Sequence, residues 1–215
     1  MGMVNNFINE VRHEFSNQKL DEKSIESTPI KQVEKWIKEA VESQVPEANA
    51  MSICTVDKEG RPSSRIVYAR GISEEGIKLY TNYSSNKGSD LQGNRYVSLL
   101  FFYPELERQI RIQGVIEKLP ATESDAYFDA RPTESKLGAW ASEQSSKIES
   151  RQTLEDRTKH FREKFGENVP RPPHWGGYIV KPTKFEFWQG RPARLHDRLV
   201  VEAKGNDWEL YRVAP

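Results

Sequence analysis

From Ala50 onward the chain is broken by short turns that end on glycine, and this spacing constrains the fold more than any other feature. Residues 50–56, AMSICTV, are apolar and β-rich. Asp57-Lys58-Glu59-Gly60 turns the chain, residues 63–70, SSRIVYAR, form a second run, and Ser73-Glu74-Glu75-Gly76 turns it again before a third run, Ile77 to Asn82. Loops this short join antiparallel neighbours, because a parallel crossover needs a dozen residues or more. Tyr96 to Tyr103 and residues 107–118 continue the pattern. In the latter run Ile110 and Ile112 point one way and Gln109, Arg111 and Gln113 the other. Strands resume at 177–188, 197–202 and 207–213.

Helical periodicity is confined to a few stretches. Thr28-Pro29 offers a capping hydroxyl and a proline at the first helical position. Val33, Trp36, Ile37, Ala40 and Val41 then recur at helical spacing up to Pro46. Phe7, Val11 and Phe15 predict a short amphipathic helix, with residues 17–28 a flexible lead-in. Residues 84–94 read as a loop with a short helix. Three further helices are expected near 122–130, 134–142 and 150–165, the last with Leu154, Thr158, Phe161 and Phe165 on one face. About seven consecutive strands and five grouped helices give an α+β fold, a closed or split antiparallel β-barrel with peripheral helices. The division is an N-terminal arm, 1–28, partly flexible, and a single domain, 29–215.

Composition closes off several functions. Lys plus Arg and Asp plus Glu are 32 each in 215 residues, so no bulk charge favours nucleic acid or an anionic membrane. Apolar residues are only 36%, but five Trp, eight Tyr and nine Phe supply large buriable areas. The single cysteine, Cys54, excludes an intramolecular disulfide framework and a multi-cysteine metal site, and is expected to be a small buried hydrophobe. The four histidines have no metal spacing, so no metal is expected. Residues 1–15 hold no long apolar run and no window approaches about 18 apolar residues. The expectation is a soluble cytoplasmic protein.

The chemistry resides in arginines and amides at strand ends. Arg65 and Arg70 bracket an apolar strand, with Arg65, Val67 and Ala69 on one face and Ile66, Tyr68 and Arg70 on the other. Tyr80-Thr81-Asn82 followed by Ser84-Ser85-Asn86-Lys87 suits a phosphate, since hydroxyls, helix-start N–H groups and an ammonium can converge there. Helix capping alone would read the same way. Gln109 can meet the edge of a flat heterocycle or simply face solvent. Arg131 at a helix end, Tyr127 one turn before it and Ser135 at the next helix start can hold a second phosphate. Gln144 and Ser145 lie in a further polar patch. The densest stretch is Phe187 to Arg198, with Trp188, the three arginines Arg191, Arg194 and Arg198, His196 and Asp197; a solvated surface cluster is its bland alternative.

Taken together, RIV at 65–67, YTN at 80–82, LERQ at 106–109, YF-x-x-RP at 127–132, S-K-x-GAW-x-S-x-QS from 135, WGG at 175–177, EFWQG at 186–190, RLHDR at 194–198 and the terminal RVAP resemble the pyridoxamine/pyridoxine 5′-phosphate oxidase family. The resemblance runs from about residue 30 to the end. It implies an FMN-binding split barrel, a homodimer with two FMN sites at the subunit interface, and oxidation of pyridoxamine or pyridoxine 5′-phosphate to pyridoxal 5′-phosphate, with O2 reduced to H2O2. By motif, Arg65, Ile66, Val67, Tyr68, Arg70, Tyr80, Thr81, Asn86, Lys87, Gln109, Gln144, Ser145, Trp188 and Arg198 would bind FMN. Arg70, Tyr127, Arg131 and Ser135 would bind the substrate phosphate, and Arg194 and His196 would act at the substrate ring.

Four positions depart from the family pattern. Arg70 replaces a usual Lys, Asn86 stands where an Arg commonly precedes the Lys, and Glu47 stands for an Asp. Arg12 and Phe15 match a substrate-covering Arg and Tyr, with the hydroxyl lost at Phe15. Two other readings stay open: a non-catalytic flavin- or pyridoxal-phosphate-binding split barrel, and a flavin reductase-like relative with another substrate.

Overall fold

The computed structural model describes residues 14–15 and 18–215. Arg12 and most of the helix expected over Phe7 to Phe15 lie outside them. The elements follow the sequence patterns closely. Helix α1 (Pro29–Glu42) starts where Thr28 accepts the Lys31 N–H, and it buries Ile30, Val33, Trp36 and Ala40. Strands β1 (Ala50–Val56), β2 (Pro62–Tyr68), β3 (Gly71–Ser73) and β4 (Gly76–Asn82) follow, then helix α2 (Asn86–Gly93), β5 (Tyr96–Tyr103) and β6 (Arg108–Lys118). Helices α3 (Ala121–Asp129), α4 (Thr133–Ala141) and α5 (Arg151–Phe165) form the peripheral group. The chain ends in β7 (Trp175–Gln189), β8 (Asp197–Lys204) and β9 (Asp207–Arg212).

All strand pairs are antiparallel, and the order β2-β1-β5-β6-β7-β4-β3 makes one curled sheet. This is the curled half-barrel of a split-barrel fold. The 15-residue β7 is its spine. One edge pairs with β6 throughout, while its first half pairs with β4 and its second with β8. A bulge between Gln113 and Gly114 lets β6 follow this curvature. A side chain at Gly114 would start 2.3 Å from the Lys181 carbonyl oxygen, so only glycine fits the close approach.

The concave side of the sheet holds Met51, Ile53, Leu99, Phe101, Ile110, Ile112, Phe185 and Phe187, closed by Trp36 of α1. The expected count of about seven strands becomes nine: every run named from the sequence is a strand, 207–213 included as β9, and the three-residue β3 is added. The lead-in at 18–28 contributes Leu20 to the core. Two expectations are reversed: the Ser73–Gly76 turn joins the short β3 to β4, so β2 and β4 are not neighbours as a meander would make them, and Cys54 is not buried. Period-2 alternation sends Met51, Ile53 and Thr55 inward and leaves Cys54 half-buried on the opposite face.

Candidate active site

The site grows from the turn that follows β4. Ser85 caps α2 by accepting the Gly88 N–H, and this places Lys87 in the first helical turn with its side chain folded back over the strand end. Lys87 Nζ lies 3.0 Å from Thr81 Oγ1, 3.1 Å from Ser85 Oγ and 3.1 Å from Gln144 Oε1. All three partners are neutral, and the residue is only 8% exposed. Burial, reinforced by the nearby Arg65 charge, pulls the ammonium pKa down to about 8. A buried cation held by neutral oxygens is a site prepared for an anion.

Arg65 reaches the same region from β2. Its guanidinium donates to Thr55 Oγ1 and Ser63 Oγ, both at 2.7 Å, and lies 4.0 Å from the Asp90 carboxylate. Ser145 adopts φ 76° and accepts the Asn86 N–H at 3.3 Å. Asn86 and Ser145 therefore adjoin the Lys87 centre but line a neighbouring recess, with Gln144 shared between the two.

A second cationic centre forms where α3 ends and α4 begins. Arg131 lies over Trp175, 4.6 Å from the ring centroid, and its buried Nη1 has no hydrogen-bond partner among the described residues. Burial lowers its pKa, and the charge of Arg70 adds to the effect. Tyr127, one turn before Arg131, stacks on Tyr80 at 3.7 Å and 5°, and Trp175 extends the stack at 5.7 Å from Tyr80. The stack depends on Gly177, where a Cβ would lie 2.8 Å from the Tyr80 ring and 2.6 Å from Leu119. Arg70 sits over the Tyr68 ring at 5.1 Å, and the Tyr68 hydroxyl donates to Glu47 at 2.7 Å, so Glu47 touches the rim of the site.

Both centres open into one cavity of about 720 Å³. Its lining holds Arg65, Ile66, Val67, Tyr68, Arg70, Tyr80, Thr81, Lys87, Tyr127, Arg131, Ser135 and Gln144 from the expected set. It also includes Asn82, Ser142 and Trp175, which have no role in the expected site set, although Asn82 ends YTN, Ser142 lies in GAW-x-S-x-QS and Trp175 opens WGG.

Gln109, Trp188, Arg194, His196 and Arg198 do not line this cavity. In register, Gln109 pairs with Trp188 and Trp188 with Arg198, so the three form a row across the convex face of the sheet. Arg198 is fixed there by Glu186 at 2.8 Å and the Ala214 carbonyl at 2.8 Å. Beyond the end of β7, Ala193 and Arg194 take left-handed φ values of 55° and 61°. The His196 ring packs between Phe15 at 4.8 Å and Trp188 at 4.5 Å, and its Nδ1 accepts the Arg191 N–H. This leaves Nε2 to carry the proton in the neutral ring. Burial and then Arg194 lower the His196 pKa.

Residues 37–165 match the family described as pyridoxamine 5′-phosphate oxidase, and residues 175–215 match the pyridoxine 5′-phosphate oxidase C-terminal dimerisation region. The chain belongs to the pyridoxamine 5′-phosphate oxidase family. It is 51% identical over 209 residues to a pyridoxine/pyridoxamine 5′-phosphate oxidase of Bordetella pertussis, covering 97% of this chain and 99% of that protein. The corresponding protein of Burkholderia multivorans is 50% identical, covering 96% and 98%. Among solved structures, PhzG from Burkholderia lata 383, in complex with tetrahydrophenazine-1-carboxylic acid, superposes with a TM-score of 0.87 at 31% identity, over 93% of this chain and all of that one. A pyridoxamine 5′-phosphate oxidase-related, FMN-binding protein of Nostoc punctiforme shares the fold with a TM-score of 0.69 at 16% identity, over 89% of this chain and all of that one. Members of this oxidase family supply a C-terminal dimerisation region, and its match here covers β7, β8 and β9, including the Trp188–Arg198 row. Among the described residues no group of three His, Cys, Asp or Glu side chains is placed to hold a metal ion, and no helix is long and apolar enough to cross a membrane.

Proposed function

We propose that the chain is an FMN-dependent oxidase that converts pyridoxamine 5′-phosphate and pyridoxine 5′-phosphate to pyridoxal 5′-phosphate, acting in the cytoplasm as a homodimer and reducing O2 to H2O2. The observation that carries this reading is the presence, in one cavity, of two cationic centres without anions to neutralise them. Lys87 is held by neutral oxygens, and Arg131 keeps a buried guanidinium nitrogen unpaired. A reaction that brings together a flavin phosphate and a substrate phosphate needs two such centres.

The residues present fit FMN. Lys87, Thr81, Arg65 and Gln144 would hold its phosphate end, and β2 from Arg65 to Tyr68 would form a wall. When bound, FMN supplies a hydride acceptor for the substrate C4′ and passes the electrons to O2. Arg131, Arg70, Tyr127 and Ser135 would grip the substrate phosphate by charge-assisted and hydroxyl hydrogen bonds. The Tyr80–Tyr127–Trp175 stack offers a flat, water-excluding flank. The convex face that carries Gln109, Trp188 and Arg198 also exposes Ile66 and the cavity rim, so a second copy placed on that face would complete each site. Arg194 would orient the substrate and stabilise developing charge. His196, whose pKa burial lowers, would present an Nε2–H donor in its neutral form. Amine substrate would leave ammonia after imine hydrolysis, whereas the alcohol would give the aldehyde directly.

The likeness to PhzG favours a second reading, in which a phosphate-free reduced tricyclic carboxylate is the substrate. Anaerobic stopped-flow reduction of the yellow holoenzyme decides between them. Bleaching by pyridoxamine or pyridoxine phosphate, followed by one H2O2 per aldehyde on admitting air, supports the oxidase. Flavin that stays oxidised with both phosphates overturns it, and bleaching by a reduced phenazine carboxylate alone would establish the second reading.

A further inference from the structure

The loop that carries Arg194 and His196 has no regular secondary structure to hold it beyond one short turn, Pro192–Arg194, and it contains two residues with left-handed φ. Something outside the loop must keep this conformation, because L residues favour other regions of the backbone map. The residue that follows His196 supplies it. Asp197 Oδ2 accepts the Leu20 N–H at 3.2 Å and lies 3.4 Å from Arg191 Nε, while Asp197 Oδ1 accepts from Arg212 Nη1 at 2.7 Å. The carboxylate thus joins the two ends of the loop, Arg191 and Asp197, and ties both to the last strand and to the N-terminal segment.

Arg212 extends the tie. Its Nε and Nη2 donate to the two oxygens of Glu22, each at 2.9 Å, and Nη2 also donates to the Leu20 carbonyl at 3.1 Å. A bidentate arginine–carboxylate pair fixes direction as well as distance. The segment held in this way leads back to Phe15, whose ring abuts His196 and Trp188.

We propose that Asp197 is a positioning residue that, through Arg191 and Arg212, sets the conformation of the 191–196 loop and so the placement of Arg194 and His196. Its catalytic consequence rests on the reading that these two side chains act at the substrate. Its structural consequence does not. Arg198, one residue further on, has its own anchors in Glu186 and Ala214, so it keeps its place when Asp197 is changed.

The test compares holoenzyme carrying Asp197→Ala, Asp197→Asn and Arg212→Lys with the parent. Asp197→Ala is expected to lower kcat with pyridoxamine 5′-phosphate about 10- to 100-fold, the scale on which small displacements of reacting groups act. KM and the FMN dissociation constant should each stay within about three-fold. Asp197→Asn, which keeps an acceptor but loses the charge, should fall between, and Arg212→Lys should resemble it. The imidazole 15N shifts of His196 give a second readout independent of turnover. They should report Nε2–H in the parent and a tautomer mixture in Asp197→Ala. A parent-like kcat in Asp197→Ala overturns the positioning role. So does a joint loss of kcat, FMN affinity and thermal stability in all three variants, which would make the network scaffold alone. If the parent oxidises neither vitamer, the functional reading fails, and the His196 shifts still decide the proposal: unchanged shifts in Asp197→Ala refute it.

Discussion

Lys87 shows how much chemistry one buried charge carries. Its pKa falls from 10.5 to about 8 because burial penalises the ammonium. Between these two values the unfolded chain binds a proton that the folded apoprotein has released. Apoprotein stability therefore rises with pH across that window, and below about pH 8 the full cost of the buried charge is present. Anion binding has the opposite sign, since it needs the charged form. FMN affinity should fall about ten-fold between pH 7 and pH 9, as the protonated fraction of a group titrating near 8 falls by that factor. Flavin fluorescence quenching at the two pH values measures it, and Lys87→Arg should flatten the dependence, because a guanidinium does not titrate there. Arg131 makes a separate case. On the proposed reading, removing it would take charge-assisted bonds from the substrate phosphate while leaving the Lys87 centre intact. Arg131→Ala should raise KM for pyridoxamine 5′-phosphate by about ten- to hundred-fold, with FMN affinity unchanged. Steady-state kinetics on flavin-saturated enzyme check both halves of this expectation.

At the scale of elements, the Lys87 centre depends on how tightly α2 seats against the chain before it. A Cβ on Gly88 would lie 2.0 Å from the Tyr83 carbonyl oxygen, and backbone cannot swing aside as a side-chain tip can. Gly88→Ala should therefore displace α2, cost about 1–3 kcal/mol in thermal or denaturant unfolding, and weaken FMN retention by moving Lys87. Gly93, at the other end of the same helix, has nothing within 4 Å, so Gly93→Ala serves as the control and should be neutral or slightly stabilising. Much of this level was legible in the sequence. Strands with one face buried announce themselves by alternation, and Thr28-Pro29 marked the start of α1 because capping and proline geometry act locally. The three-residue β3 escaped because three residues cannot show a period. Cys54 turns outward because it alternates with the buried Ile53 and Thr55, and an apolar run by itself does not say which face is covered. Lys87, Thr81 and the adjacent polar residues were readable as an anion site from one local segment. Trp175 was not, since its place in the cavity comes from the pairing of β7 with β4, and no short-range signal encodes that.

For the molecule as a whole, the convex face of the sheet decides what one chain can do. Tyr96 is 72%, Ile66 63% and Phe102 57% exposed, and strand register puts Phe102 beside Gln109, in line with Trp188 and Arg198. Exposed apolar side chains on one sheet face, interleaved with amides and arginines, suit an interface whose polar members have further partners. The C-terminal dimerisation region of the family covers three of the strands that build this face or extend it. Phe102 does not line the cavity of its own chain, so a charge placed there acts on the flavin through the subunit interface, by weakening assembly or by facing the partner's site. Phe102→Asp would bury a carboxylate against an apolar counterpart, a cost large enough to weaken dimerisation by at least about 100-fold. Sedimentation velocity should show monomer at micromolar concentration, and FMN should be lost in the same range in which the dimer dissociates. Dilution of the parent protein provides the matching observation, since a site completed by two chains must release flavin as the chains separate. A monomeric Phe102→Asp that still holds FMN as tightly as the parent would place the whole flavin site within one chain, and the row of Gln109, Trp188 and Arg198 would then need another explanation.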